Sequence, residues 1–204
     1  MSAEKELTRD RSVYLEEVSL ARKLISTDAS FPDQVFSCEL RHFTFFNFDD
    51  FFTREFFEGL IQFLRQYGID ETFTLFTIRP DPEDYFYKNF DCYPILQGST
   101  LWTDEKYLSS VFADPGNSPA DAIAYNSMEL VLHSQSLDWC MYGNRDMEVG
   151  VFGAIEKGLV VNWQSTYPKC FDVETAIETV LKPAWGSSLV PVEYIEKLLS
   201  NYRS

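Results

Sequence analysis

The chain of 204 residues carries 17 lysines and arginines against 32 aspartates and glutamates, a formal net charge of −15, with 45% hydrophobic and 24% charged residues. This is the composition of a folded globular protein and not of a disordered tail, and a single unit of this length buries roughly 70% of the surface its unfolded chain exposes. The acid excess is even, 10 basic against 18 acidic residues up to Trp102 and 7 against 14 after it, so the surface repels phosphates and anionic lipid and disfavours direct binding to nucleic acid or a membrane surface.

In chain order, TRDRSVYLEEVSLARKLI (8–25) places Tyr14, Val18, Ala21 and Ile25 on one stripe with Leu20 and Leu24 beside it and charges opposite, which predicts an amphipathic helix. The turn residues of STDASFPDQ end it, and Val35 to Phe46 then suits a strand, with Phe43 and Phe45 on one face and His42, Thr44 and Phe46 on the other. Nine of the eighteen phenylalanines fall between Arg41 and Leu64. Asn47, Asp49 and Asp50 are candidate caps for a following helix, and Gly68 suits its C-terminal stop. Within that helix Phe52, Phe56, Leu60, Phe63 and Tyr67 recur at helical spacing, flanked by Phe57, Ile61 and Leu64 and opposed by Arg54, Glu55, Glu58, Gln62 and Arg65. Core packing is the expected use of this stripe, since each buried large apolar side chain contributes about 1.5–3 kcal/mol. An exposed Phe51/Phe52 end would instead serve as an anchor for a partner.

TFTLFTI (72–78) reads as a strand apolar on both faces. RPDPEDYFYKNFD (79–91) follows as an irregular acidic and aromatic segment, and YPILQGS (93–99) as a short edge strand behind Pro94. Thr103 and Asp104 cap a helix through Ala113, and DPGNSPAD (114–121) is a loop and the sole candidate subdomain boundary in an otherwise single-domain chain. MELVLHS (128–134) and the two runs within LDWCMYGNRDMEVGVFG (137–153) predict strands, the latter a hairpin about Gly143-Asn144-Arg145-Asp146. A two-residue turn at Asn144-Arg145 would set Trp139 opposite Gly150, covering the glycine, and Met141 opposite Glu148. GLVVNW (158–163) predicts a further strand. DVETAIETVL, capped by Asp172 and stopped by Pro183, and PVEYIEKLLSNYR, with Pro191 at its first position, predict the closing helices. Consecutive strands in the second half, with helices at both ends of the chain, predict an α+β fold whose mainly antiparallel sheet is covered by N- and C-terminal helices.

Chemistry is sparse. Neither phosphate-binding glycine loop occurs, nor H-E-x-x-H, nor G-x-S-x-G. Two histidines ninety-one positions apart do not suggest a zinc site, so neither a metal nor a cofactor is expected. Cys38, Cys92, Cys140 and Cys170 lie far apart without a C-x-x-C pair, which predicts free thiols. The N-terminal stretch has no apolar signal core, and no uncharged apolar run reaches about 18 residues; the expected address is cytoplasmic. A cysteine nucleophile would need Cys140 beside His133 on neighbouring strands, with Asp138 or Asp146 orienting the imidazole. The carboxylate pairs Asp49/Asp50, Asp81/Glu83/Asp84 and Asp104/Glu105 are expected in a chain this acidic, and caps account for Asp49, Asp50 and Asp104. Exposed tyrosines among carboxylates suit a surface for a basic protein, which singles out Asp81, Glu83, Asp84, Tyr85 and Tyr87 as contact residues.

The hairpin SLDWCMYGNRDMEVGVFG (136–153), with a strand-borne tryptophan and a Gly-Asn-Arg-Asp turn, resembles a feature of several bacterial immunity proteins that neutralise polymorphic toxins. The resemblance covers about a tenth of the chain. It implies a non-catalytic inhibitor that occludes a basic toxin, and it carries over no site residue. Two other classes stay open: a small enzyme using Cys140/His133 or a carboxylate pair, and a structural or adaptor subunit that buries the Phe51/Phe52 end.

Overall fold

The computed structural model describes residues 7–37, 39–66, 72–116, 118–185 and 189–203. Six strands, β1 (His42–Asn47), β2 (Thr72–Arg79), β3 (Ile95–Ser99), β4 (Glu129–Ser134), β5 (Trp139–Asn144) and β6 (Val149–Ala154), form one sheet in the order β1-β6-β5-β4-β2-β3. Every neighbouring pair is antiparallel. The α+β architecture expected from the runs of strands and helices is therefore the observed one. Strands on either side of the 114–121 loop share this sheet, because β2 pairs with β4.

Helices cover both faces of the sheet. Residues of α1 (Arg11–Leu24), α7 (Val173–Ala176) and α9 (Val192–Tyr202) pack with Phe45, Phe76, Val131 and Tyr142 on one face. Those of α2 (Arg54–Gln66), α4 (Asp104–Val111) and α6 (Lys157–Thr166) pack with Phe46, Leu132, Met141 and Phe152 on the other. Two cores rather than one explain why β4, β5 and β6 are buried along their whole length, where an antiparallel sheet often leaves one face wet.

The phenylalanine-rich segment divides between these cores. Phe45 joins the first, and Phe46, Phe48, Phe51, Phe52, Phe56, Phe57 and Phe63 join the second. Phe51 is fully buried and Phe52 is 8% exposed, so neither is the protruding anchor that the adaptor alternative required. The helix expected from Asn47 onward is broken: Phe48–Phe52 form a 3-10 turn closed by the reciprocal Asn47/Asp50 capping box, and Thr53 then caps α2 by accepting from Phe56 N at 3.2 Å. The expected stop at Gly68, and Tyr67 on the stripe, lie outside the described residues. What receives these rings is a hollow floored by Gly143 and Gly150, cross-strand partners on β5 and β6. A Cβ on Gly150 would lie 2.4 Å from the Phe46 ring, and one on Gly143 would lie 2.7 Å from Phe51.

Several expectations are corrected. The β5–β6 hairpin pairs Trp139 with Ala154, Met141 with Phe152 and Asn144 with Val149, four residues out of the expected register, so the loop holds Arg145–Glu148 and Phe46, not Trp139, covers Gly150. The reason lies outside the hairpin. Arg145 donates to the carbonyls of Ala124, in the short helix α5 (Ile123–Asn126), at 2.6 Å and of Ser127 at 2.8 Å, and the Asn144 side chain reaches Ser30 and Met147 N, so neither residue is free to form a tight turn. GLVVNW is helix α6 and not a strand: Leu159, Val160 and Trp163 are buried at helical spacing while Val161 is exposed, and packing on α2 overrides the β-branched pair. Among the described residues of Val35–Arg41 none is in a strand, apart from the isolated bridge of Phe36 to Ile25. The helix from Asp172 is not stopped by Pro183; α7 continues through a π-helical turn (Ile177–Leu181) into α8 (Lys182–Ala184). Pro191 sits at the N-cap position of α9, just before the first helical position expected for it.

Gly158 differs from the floor glycines, because it is exposed within α6 and a Cβ there meets nothing within 4 Å. Gly158→Ala is expected to raise the stability to urea unfolding by about 0.5–1 kcal/mol through lower unfolded-state entropy.

Candidate functional site

The acidic and aromatic segment is not irregular. Asp81 accepts from Asp84 N at 2.9 Å and caps a π-helical turn, Pro82–Tyr87, which runs into α3 (Lys88–Phe90) and ends at Asp91 in the left-handed region with φ 53°. Pro82 suits the first turn, where its missing N–H has no helical partner to lose. The turn brings the five expected contact residues onto one short element. Asp81, Asp84 and Tyr87 are exposed, Glu83 and Tyr85 are half-buried, and Phe86 is buried.

Four of these residues engage side chains outside the turn. Arg11 Nε donates to Glu83 at 3.1 Å, Lys88 pairs with Asp84, and the Tyr85 hydroxyl donates to Asp121 at 2.9 Å, a bond that raises the phenol's pKa. Tyr87 stacks on Tyr93, centroids 5.0 Å apart, and Tyr93 stacks on Tyr14 at 4.3 Å, with interplanar angles of 15° and 9°. The column starts on α1, passes through the loop before β3 and ends at the surface on Tyr87, 39% exposed. A recess opens at each end: one of about 510 Å³ lined by Tyr14, Val18, Arg22, Arg79 and Asp81, the other of about 700 Å³ lined by Arg9, Tyr87, Lys88, Asp91 and Pro115. Periodicity gave no sign of this column, since its three members come from separate parts of the chain.

The alternative nucleophile is deeply buried. His133 and Cys140 are cross-strand partners on β4 and β5, as adjacency of the strands allowed, but both side chains are inaccessible and burial drives the thiol far above its usual range. The imidazole is committed elsewhere. Its Nδ1 lies 3.1 Å from the Ser134 carbonyl and is therefore the donor there, while Nε2 faces Glu17 Oε2 at 3.4 Å, long for a hydrogen bond. Glu17, in the middle of the apolar stripe of α1, also accepts from Gln97 of β3 at 2.7 Å. Burial works against its ionisation, but the His133 ring and the Gln97 amide outweigh that and leave its carboxyl below the ordinary value. The helical stripe that buries Tyr14, Ala21 and Leu24 buries Glu17 too, contrary to the expectation that charges of this helix all lie opposite.

Cys170 is the half-buried cysteine, placed beside Thr44 and Trp163, and its thiol is pushed up to about 12 by burial, the wrong direction for a nucleophile. The three described cysteines are free, and Cys38 lies outside the described residues. Asp50 closes the capping box from a buried position that raises its pKa, Asp49 meets Arg145 at 3.5 Å, and Asp104 pairs with Arg54 at 2.9 Å while Thr103 caps α4. Among the described residues no group of three or more His, Cys, Asp or Glu is placed to hold a metal ion, and no helix is long and apolar enough to cross a membrane. Set beside known proteins, the chain stands apart: no family model, no curated protein and no solved structure matches it.

Proposed function

We propose that the protein is a non-catalytic binder of a basic protein, an immunity-type inhibitor that occludes a toxin, with the turn bearing Asp81, Glu83, Asp84, Tyr85 and Tyr87 as its contact surface. The observation that carries this reading is the position of the tyrosine column. A large aromatic, Tyr87, is held at the surface among carboxylates by a ring stack whose inner members are buried, so it can be covered by a partner with little loss of side-chain freedom. The net charge of −15 adds long-range attraction that speeds encounter with a cationic protein and weakens with salt.

The test is a pull-down with the tagged protein from its native cells at low and at high salt, with mass spectrometry of what remains bound. A basic protein retained in near-equal amount at low salt and lost at high salt is the expected result; capture of no basic protein from cells shown to express one encoded beside it would defeat the reading. With the partner in hand, the double reversal Glu83→Lys/Asp84→Lys is expected to weaken affinity at least about tenfold and to flatten its salt dependence. Unchanged affinity and slope would remove this turn from the interface.

A further inference from the structure

Three of the cations around the tyrosine column are each held by a carboxylate: Arg9 by Asp91, Arg11 by Glu83 and Lys88 by Asp84. Arg11 is the informative one. Its guanidinium lies against Glu83 and beside the Tyr93 hydroxyl, so the chain already places an arginine between a carboxylate and a tyrosine of the column. Arg11 is well exposed and Glu83 partly so, with side-chain exposures of 65% and 36%. Exposed pairs of this kind contribute between nothing and about 1 kcal/mol, so exchange for another cation is easy. One face of Tyr87 is taken by Tyr93 and the ring still lines a surface recess.

We propose that this ledge receives an arginine of the partner, the guanidinium lying on the free side of Tyr87 and bonding to Glu83 in place of Arg11. The inference rests on the binding function proposed above and specifies its chemistry. Arginine and lysine differ here: the planar guanidinium both stacks on an aromatic face and offers a fork of donors to a carboxylate, whereas an ammonium is a more strongly hydrated point charge. Arg11 then acts as an internal occupant that the partner displaces.

The experiment compares hexa-arginine and hexa-lysine peptides, titrated at low salt into the full chain and four variants. The expected result for the unsubstituted protein is a preference for hexa-arginine of about two- to fivefold. Tyr87→Leu should abolish that preference with hexa-lysine affinity unchanged, while Tyr87→Phe should keep it. Arg11→Gln should strengthen hexa-arginine binding more than Arg203→Gln does, the latter removing the same charge from the Glu174 pair beside α7 and α9. Equal affinity for the two peptides, a preference that survives Tyr87→Leu, or no binding of either peptide overturns the ledge as an arginine receptor. Salt-sensitive binding of both peptides alike would overturn it while leaving the acidic binding surface standing, and the pull-down tests that surface independently.

Discussion

Glu17→Ala is expected to lower the unfolding free energy by about 1–3 kcal/mol, because it leaves the buried His133 ring without its polar partner. The pair sits under α1, with Glu17 4% exposed and His133 not at all, and its geometry ties the N-terminal helix to two strands through Gln97 of β3 and His133 of β4. A large loss does not mean that the pair is worth as much. Replacing both partners by apolar residues removes the desolvation cost together with the attraction, so Glu17→Leu/His133→Leu is expected to recover most of the stability that Glu17→Ala loses. Urea denaturation of the three proteins at neutral pH measures this. A double variant as unstable as Glu17→Ala would show that the polar contacts themselves hold α1 in place.

The same pair sets a sign for pH. The folded Glu17 carboxyl lies below its unfolded value, so its contribution is present in full above the ordinary carboxylate pKa of 4.5 and is lost as pH falls through the lowered folded value. Glu17→Ala should therefore remove part of the acid sensitivity below pH 4.5, and denaturation midpoints that fall in parallel for both proteins would contradict it.

Gly150→Val is expected to cost about 3 kcal/mol, at the upper end of what overpacking exacts. The Phe46 ring that fills the space above Gly150 cannot easily retreat, since Phe51 lies 5.0 Å and Phe56 5.5 Å from it, with Trp163 and Tyr167 each at 6.3 Å. The second variant Phe46→Leu/Gly150→Val distinguishes a steric cause from a backbone one. Shortening the ring should restore part of the loss if crowding is responsible, and thermal unfolding would show no recovery if Gly150 is needed for the strand itself.

What the chain determines by itself is the set of facts that local spacing carries. Every side of α2 was legible, with Phe56, Leu60 and Phe63 inside and Arg54, Glu58 and Gln62 outside, because a helix three turns long repeats its pattern often enough to identify its face. The caps at Thr103 and Asp172 were legible for a similar reason, as a capping oxygen needs only a backbone N–H two or three residues ahead. The acidic turn from Asp81 to Tyr87 was legible as a composition and not as a structure. Its carboxylates and tyrosines stand out in the sequence, but the stack of Tyr87 on Tyr93 and Tyr14, and the hold of Arg11 on Glu83, join parts of the chain that no local pattern connects.

Tertiary structure decided the rest. Residues 158–163 are too few for helical and strand periodicities to separate, and the surface of α2 selected the helix. The hairpin register depended on carbonyls at Ala124 and Ser127 that capture Arg145, and a four-residue change of register preserves the alternation of faces, so burial pattern alone does not reveal it. Glu17 reads as one more surface charge until β4 supplies His133 beneath it. Periodicity is a property of neighbours along the chain, whereas register, and the burial of a charge, are set by groups that only folding brings within reach.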